Sequence, residues 1–181
     1  MTFSARRIPA VFLPVLLLLL FAAPAWPTAQ MPERITYEGE TGSLFTNPLE
    51  SYFTKDNPRP PFAAPHTACW RGYVGSWEIR EDTLFLAGIQ AWIRDGDGKA
   101  APVAFEAVFP GKRAPVKAEW FTGTLRIPRG KPIRYVHMGY QTVYEEEVLL
   151  RIEKGNVVNR QRIDNRNKVQ PKRPDATIQD P

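Results

Sequence analysis

Short segments rich in β-branched and aromatic residues recur along this chain from Gly72 onward, and each ends at a turn signal. In residues 144–153, apolar and charged side chains alternate, and a Lys-Gly-Asn turn signal separates them from a second run at 157–163. Because side chains on a strand point alternately to its two faces, residues 144–163 predict an antiparallel hairpin. No long segment shows a helical period. The pattern predicts an all-β, mainly antiparallel fold, either a small sandwich or a barrel.

Further strands are predicted from the same kind of pattern. The sequence Asp95-Gly96-Asp97-Gly98 indicates a hairpin turn, because Asp-Gly readily adopts the positive φ of tight turns. A second turn is predicted at 128–131, where proline and glycine cluster. The other predicted strands are 35–37, 72–79, 83–93, 103–109, 116–127 and 133–138.

Proline content divides the chain into regions. Residues 57–65 carry four prolines, which neither a sheet ladder nor a helix interior tolerates, so they predict a stiff extended connection on the surface. We therefore expect a flexible, Pro-rich N-terminal region over 26–66 and a β-rich domain over 67–165. The polar residues 166–181 predict a disordered tail.

The N-terminus has the three parts of a secretory signal. Arg6 and Arg7 supply the basic start, residues 8–21 the apolar core, and Ala23-Pro24-Ala25 the small residues of a cleavage site. The apolar core of about 14 residues is shorter than the roughly 20 that a spanning helix needs. A retained anchor is thus the less favoured alternative. Residues 1–25 predict a signal peptide and a chain exported to the periplasm or the medium, with no stable membrane anchor after cleavage.

Charge and cysteine content narrow the function classes. The formal net charge is +5, and removal of Arg6 and Arg7 leaves +3. The excess lies in the last 31 residues, where it forms either a solvated edge or a surface for an anionic polymer. Nucleic acid is not an expected partner of an exported chain without a binding motif. Cys69 is the only cysteine, so no intramolecular disulfide can form.

Five short motifs occur between residues 67 and 146: TACWRGY at 67–73, WEI at 77–79, WFTGTLRIP at 120–128, YVHMGY at 135–140 and YEE at 144–146. They resemble a family of uncharacterised bacterial proteins in which W-R-G-Y, W-F-T-G and Y-E elements recur in this order. The resemblance covers residues 67–158. It implies a bacterial source and similar domain limits, and it assigns no catalytic residue.

Residues that could carry catalysis are few. Cys69 could be a nucleophile activated by His137, or a buried thiol packed as a small apolar side chain. His137 could be a general base oriented by one of Glu145, Glu146 and Glu147, or a packing histidine beside carboxylates that keep a sheet edge soluble. We expect no metal site, since the calcium-loop spacing that begins at Asp95 has alanine where glycine is required. We expect no cofactor.

A set of aromatic residues with one arginine could form a recognition patch, because such residues dominate interface hot spots. The alternative is a core built on large rings, with the arginine paired to Glu78 or Glu145. The leading hypothesis is an exported, non-enzymatic binding module for a protein or a cell-envelope polymer, for example an immunity or inhibitor protein. The second hypothesis is a small hydrolase acting on envelope material. The predicted binding residues are Trp70, Arg71, Tyr73, Trp77, Trp120 and Tyr140.

Overall fold

The computed structural model describes residues 29–136 and 140–168. This part of the chain is mostly β-sheet, which confirms the predicted all-β class. Its helical structure is limited to 3₁₀ turns at Pro48–Tyr52 and Thr67–Cys69 and one α-helical turn at Phe105–Val108. The nine strands are β1 (Glu33–Tyr37), β2 (Glu40–Leu44), β3 (Tyr73–Arg80), β4 (Thr83–Arg94), β5 (Ala100–Val103), β6 (Val116–Lys117), β7 (Gly123–Arg134), β8 (Val143–Glu153) and β9 (Asn156–Asp164).

The strands form one mixed sheet in the order β2-β1-β3-β4-β9-β8-β7, with β5 and β6 also paired to β4. Only the β1–β3 pair is parallel among these ladders. The sheet does not close into a barrel. Its end strands nevertheless adjoin, because the backbone N–H of Phe45 donates to the carbonyl of Arg126 at 2.8 Å. The sheet therefore curls around one core.

The hairpin predicted over 144–163 is present as β8 and β9. The inward positions Val148, Leu150 and Ile152 are buried, as the alternation predicts. The turn uses Lys154 and Gly155, both at positive φ. A Cβ on Gly155 would lie 2.8 Å from the carbonyl oxygen of Ala118, so only glycine fits at this position.

The bounds of two predicted strands are wrong. The predicted strand 103–109 ends at Val103, and Phe105–Val108 turns helically to bury Val108. The predicted strand 116–127 is broken between β6 and β7, where Ala118 and Phe121 turn into the core. Tertiary packing overrides strand propensity at both places.

The turn predicted at 128–131 is also wrong, since these residues stay inside β7. The ladder to β8 shifts register between Arg129 and Pro132, and Gly130 has φ of 74°. A bulge of this kind accommodates prolines that a regular ladder excludes.

The N-terminal region predicted as flexible is part of the sheet. Ile35 on β1 is paired in register with Trp77 on β3, and Ile35, Leu44 and Leu49 are buried in the core. The core therefore begins at Glu33 and not at residue 67. The Pro-rich stretch 57–65 forms no strand, as predicted, although Phe62 makes an isolated bridge to Ile93.

The chain ends fall largely outside the described residues. The predicted signal peptide, residues 1–25, lies there, as does the predicted tail from residue 169 on. Residues 166–168, the part of that tail that the structure describes, form a turn. Nη2 of Arg166 lies 2.9 Å from Oε1 of Glu146 in an ion pair. Within the described ranges no helix is long and apolar enough to cross a membrane.

Candidate functional site

A group of polar side chains lies where β1 and β3 begin, four of them buried and the fifth, Tyr140, half-buried. We call it the polar cluster: Glu33, Arg71, Tyr73, Trp77 and Tyr140. Burial alternates along β1, so Glu33 shares the inward face with Ile35 and Tyr37 while Arg34 is exposed. The side chain of a glutamate thus enters the interior at a strand position otherwise used by apolar residues. Such a position requires compensating contacts.

Only one of the two oxygens of the Glu33 carboxyl group has a hydrogen-bond partner among the described residues. Its Oε2 accepts a hydrogen bond from Nε1 of Trp77, whereas its Oε1 is buried without a hydrogen-bond partner in the part of the chain that the structure describes. Gly75 leaves room for this pair, because a Cβ there would lie 2.8 Å from Oε2. Burial raises the pKa of Glu33 from 4.5 to about 7, against the opposing effects of the Trp77 hydrogen bond and the Arg71 charge.

Arg71 is buried beside Glu33 but bonds elsewhere. Its Nη1 donates to the hydroxyl of Tyr140 at 2.7 Å and its Nη2 to the carbonyl of Met31 at 3.0 Å. Its Nε is buried and has no partner among the described residues. The predicted pairing of Arg71 with Glu78 or Glu145 is therefore wrong, and no ion pair links Arg71 to Glu33 either within the described ranges.

The two tyrosines connect the polar cluster to the 3₁₀ turn that follows β2. The Tyr73 hydroxyl donates to Oε1 of Glu50 at 2.6 Å, and the Tyr140 hydroxyl donates to Oδ1 of Asn47 at 3.0 Å. The Tyr140 ring stacks on Phe45, with centroids 5.0 Å apart. Burial raises the pKa of both hydroxyls, so both stay protonated and act as donors.

Above the polar cluster, two large apolar side chains face solvent. Trp70 follows the 3₁₀ turn Thr67–Cys69 and is 68% exposed, and Met31 is 36% exposed. Their segments are joined, because the backbone N–H of Met31 donates to the carbonyl of Ala68 at 2.6 Å. We call these two residues the Met31–Trp70 surface. It is supported from below by the bond between Arg71 and the Met31 carbonyl.

A groove of about 410 Å³ continues from Met31 over the outer face of β1, β2 and β3. The Arg34 side chain lines it and makes no hydrogen bond or ion pair to any described residue. The groove therefore combines apolar walls with an unpaired positive charge and hydroxyl groups. Its side-chain lining comes from Met31, Pro32, Arg34, Thr41, Ser43 and Val74.

The six predicted binding residues do not form one exposed face. Four of them meet as members of the polar cluster, where Tyr140 is half-buried and the other three are buried, and only Trp70 is exposed. Trp120 packs on Tyr52 and donates through Nε1 to the carbonyl of Pro48 at 3.1 Å, and the rings of Tyr52 and Phe53 connect it to Tyr73. The predicted single patch is therefore corrected to one exposed residue, a largely buried support and a ring packed against the core.

Cys69 is fully buried. Its Sγ lies 3.5 Å from the carbonyl oxygen of Tyr73, to which it donates, and burial raises the pKa of the thiol. A buried neutral thiol is a poor nucleophile. His137, the residue predicted to activate it, lies outside the described residues.

The acidic run of β8 is bound within the fold. Oε2 of Glu145 accepts from the backbone N–H of Lys131 at 2.9 Å, and Glu146 pairs with Arg166. Within the described ranges no group of three or more histidine, cysteine or acidic residues is placed to hold a metal ion.

Glu147 is buried in a bidentate ion pair with Arg126. The Nε–Oε2 distance is 2.9 Å and the Nη2–Oε1 distance is 2.5 Å. The same guanidinium donates to the carbonyls of Tyr140 and Thr142. This pair therefore holds the segment that delivers Tyr140 to the polar cluster.

Glu33 and Met31 were not among the sequence-predicted site residues. A glutamate at the start of a short strand gives no signal of burial, since the strand is too short for its inward face to be assigned. Comparison with known proteins returns no match to a protein-family model, a curated protein or a solved structure.

Proposed function

We propose that this protein is an exported, non-enzymatic binding module that engages a partner protein through the Met31–Trp70 surface. The supporting observation is the 68% exposure of the Trp70 indole. Large rings are usually buried in a soluble protein, and exposed tryptophans are frequent hot spots of interfaces.

The backbone on both sides of Trp70 is held by contacts within the protein itself. Arg71, the next residue, is anchored to Tyr140 and to the Met31 carbonyl, and Cys69, the preceding residue, is buried. The indole is thus presented on a backbone fixed on both sides. Such preorganisation lowers the entropic cost of binding.

The adjoining groove supplies polar specificity. Its volume of about 410 Å³ is sufficient for a few side chains of a partner. The unpaired Arg34 guanidinium favours an acidic group, which it can bind with two parallel hydrogen bonds. A partner that inserts an acidic side chain beside an apolar one would match both parts of the site.

Export is proposed from the sequence of the first 25 residues. The full chain should be produced in a bacterial host and the accumulated protein recovered from periplasm and medium. Its intact mass should correspond to a chain that begins at Trp26. Recovery of unprocessed chain from the cytoplasm alone would refute the proposed export.

Affinity capture tests the binding proposal. Tagged residues 26–181 should be exposed to cell-envelope and culture-fluid extracts in three forms: wild type, Trp70→Ala and Val158→Ala. Val158 is a matched control, because it is also an exposed apolar residue, at 50%. We expect a saturable protein that the wild type and V158A retain and W70A loses. Retention by all three forms, or capture of polymer alone, would contradict the proposal.

A further inference from the structure

We propose that the protonation state of Glu33 regulates the Met31–Trp70 surface by deciding whether Arg71 bonds to Met31 and Tyr140 or turns to Glu33. This inference rests on the proposed function only in taking that surface as the binding surface. The switch itself is a property of the polar cluster.

The first argument is the pair of unsatisfied atoms. Oε1 of Glu33 is a buried acceptor and Nε of Arg71 a buried donor, and neither has a hydrogen-bond partner among the described residues. An ionised carboxylate buried near a guanidinium would normally take it as a direct partner, because an unpaired buried charge is costly. The observed arrangement, with Arg71 bonded to Met31 and Tyr140, is therefore that of a neutral Glu33 carboxyl group.

The second argument is the charge balance around Glu33. Of the described groups that interact with it, only Arg71 is positive, and Glu50 on the 3₁₀ turn after β2 is negative. The neutral polar groups facing it from β3 and from the segment before β8 are Trp77, Tyr73 and Tyr140, and the Cys69 thiol lies beneath. Burial raises the pKa of Glu33 to about 7, so its charge changes near neutrality.

The consequence follows from competition for one guanidinium. When Glu33 loses its proton, the carboxylate attracts Arg71 away from the Met31 carbonyl at 3.0 Å and the Tyr140 hydroxyl at 2.7 Å. Met31 then loses this support, and so does the segment that carries Trp70. The surface is ordered below the pKa of Glu33 and loosened above it.

Hydroxyl-radical footprinting read by peptide mass spectrometry measures this without any partner. Oxidation rates of Met31 and Trp70 should be followed between about pH 5.5 and about pH 8.5, a range in which a group of pKa near 7 passes from almost fully protonated to almost fully ionised. We expect the Met31 rate to rise about twofold with a midpoint near neutrality, because Met31 is only 36% exposed in the ordered surface, and the already exposed Trp70 to change less. In Glu33→Gln both rates should stay at the low-pH value throughout.

Two further variants keep the test decisive. Trp77→Phe removes a hydrogen bond that lowers the pKa of Glu33, so its midpoint should move to higher pH. Glu78→Gln, a carboxylate of β3 paired with Arg80, should leave the profile unchanged. Flat wild-type rates, or an E33Q profile equal to that of the wild type, would overturn the switch. A pH-dependent surface together with unchanged capture by W70A would instead retain the switch and refute the proposed binding function.

Discussion

Nη1 of Arg71 donates to the hydroxyl of Tyr140 at 2.7 Å, which joins two points 69 residues apart in the chain. The same guanidinium holds the carbonyl of Met31, just before β1. One interior side chain therefore connects the segments that precede β1, β3 and β8. The exposed Trp70 is the neighbour of this connecting residue, so the geometry of the proposed binding surface depends on the polar cluster.

The contribution of Glu33 to stability should decrease as pH rises from about 4.5 to about 7. Folding raises the pKa of Glu33 from 4.5 to about 7, so the folded state retains a proton that the unfolded state releases. The stabilisation is fully present below about pH 4.5 and is lost as pH rises to about 7. The shift corresponds to at most about 3 kcal/mol of the free energy of unfolding.

Urea denaturation at a series of pH values checks this prediction. Other carboxylates contribute to the wild-type curve, among them Asp164, whose pKa is lowered to about 2 by Arg166. The difference between wild type and Glu33→Gln isolates the contribution of Glu33. We expect E33Q to gain stability relative to the wild type as pH rises. Parallel curves for the two proteins would contradict the assignment.

Two adjacent glutamates of β8 should differ sharply when they are neutralised. Glu147→Gln leaves the Arg126 guanidinium partly buried without its carboxylate, and we expect a loss of about 2–3 kcal/mol in the free energy of unfolding. Glu146→Gln breaks an exposed pair with Arg166 and should cost less than about 0.5 kcal/mol. Chemical denaturation of both variants measures the contrast. Equal losses in the two variants would show that the Arg126–Glu147 pair does not make the predicted contribution to the free energy of unfolding.

Cys69 should be unreactive in the native protein. Its thiol is buried and its pKa is raised, so a thiol-specific reagent at neutral pH should label it only after denaturation. The labelling rate in native buffer and in urea, followed by absorbance, gives the comparison. Rapid stoichiometric labelling of the folded protein would restore the nucleophile hypothesis and with it the hydrolase alternative.

The features predicted correctly from the sequence are those with local signals. The β8–β9 hairpin has strict alternation and a Lys-Gly turn, and the Asp-Gly turn after β4 does lead into β5. Both depend on residues close together in the chain. Fold class follows from several such signals in succession.

What could not be predicted depends on contacts between distant residues. The parallel pairing of β1 with β3 brings Glu33 to Trp77, 44 residues away, and no local pattern encodes that contact. Prolines led to two wrong predictions. They kept β1 and β2 from being recognised as part of the domain, and inside β7 they sit at a bulge that resembles a turn in sequence.

The most direct test of the proposed binding surface is the affinity of the captured partner for three purified proteins, measured by isothermal titration calorimetry at a fixed pH below 7. We expect Trp70→Ala to weaken binding by at least about 2 kcal/mol, or roughly thirtyfold, as for a central hot spot. Val158→Ala should bind within about twofold of the wild type, as expected for an exposed residue outside the interface. Equal affinity of W70A and the wild type would contradict the assignment of the Met31–Trp70 surface.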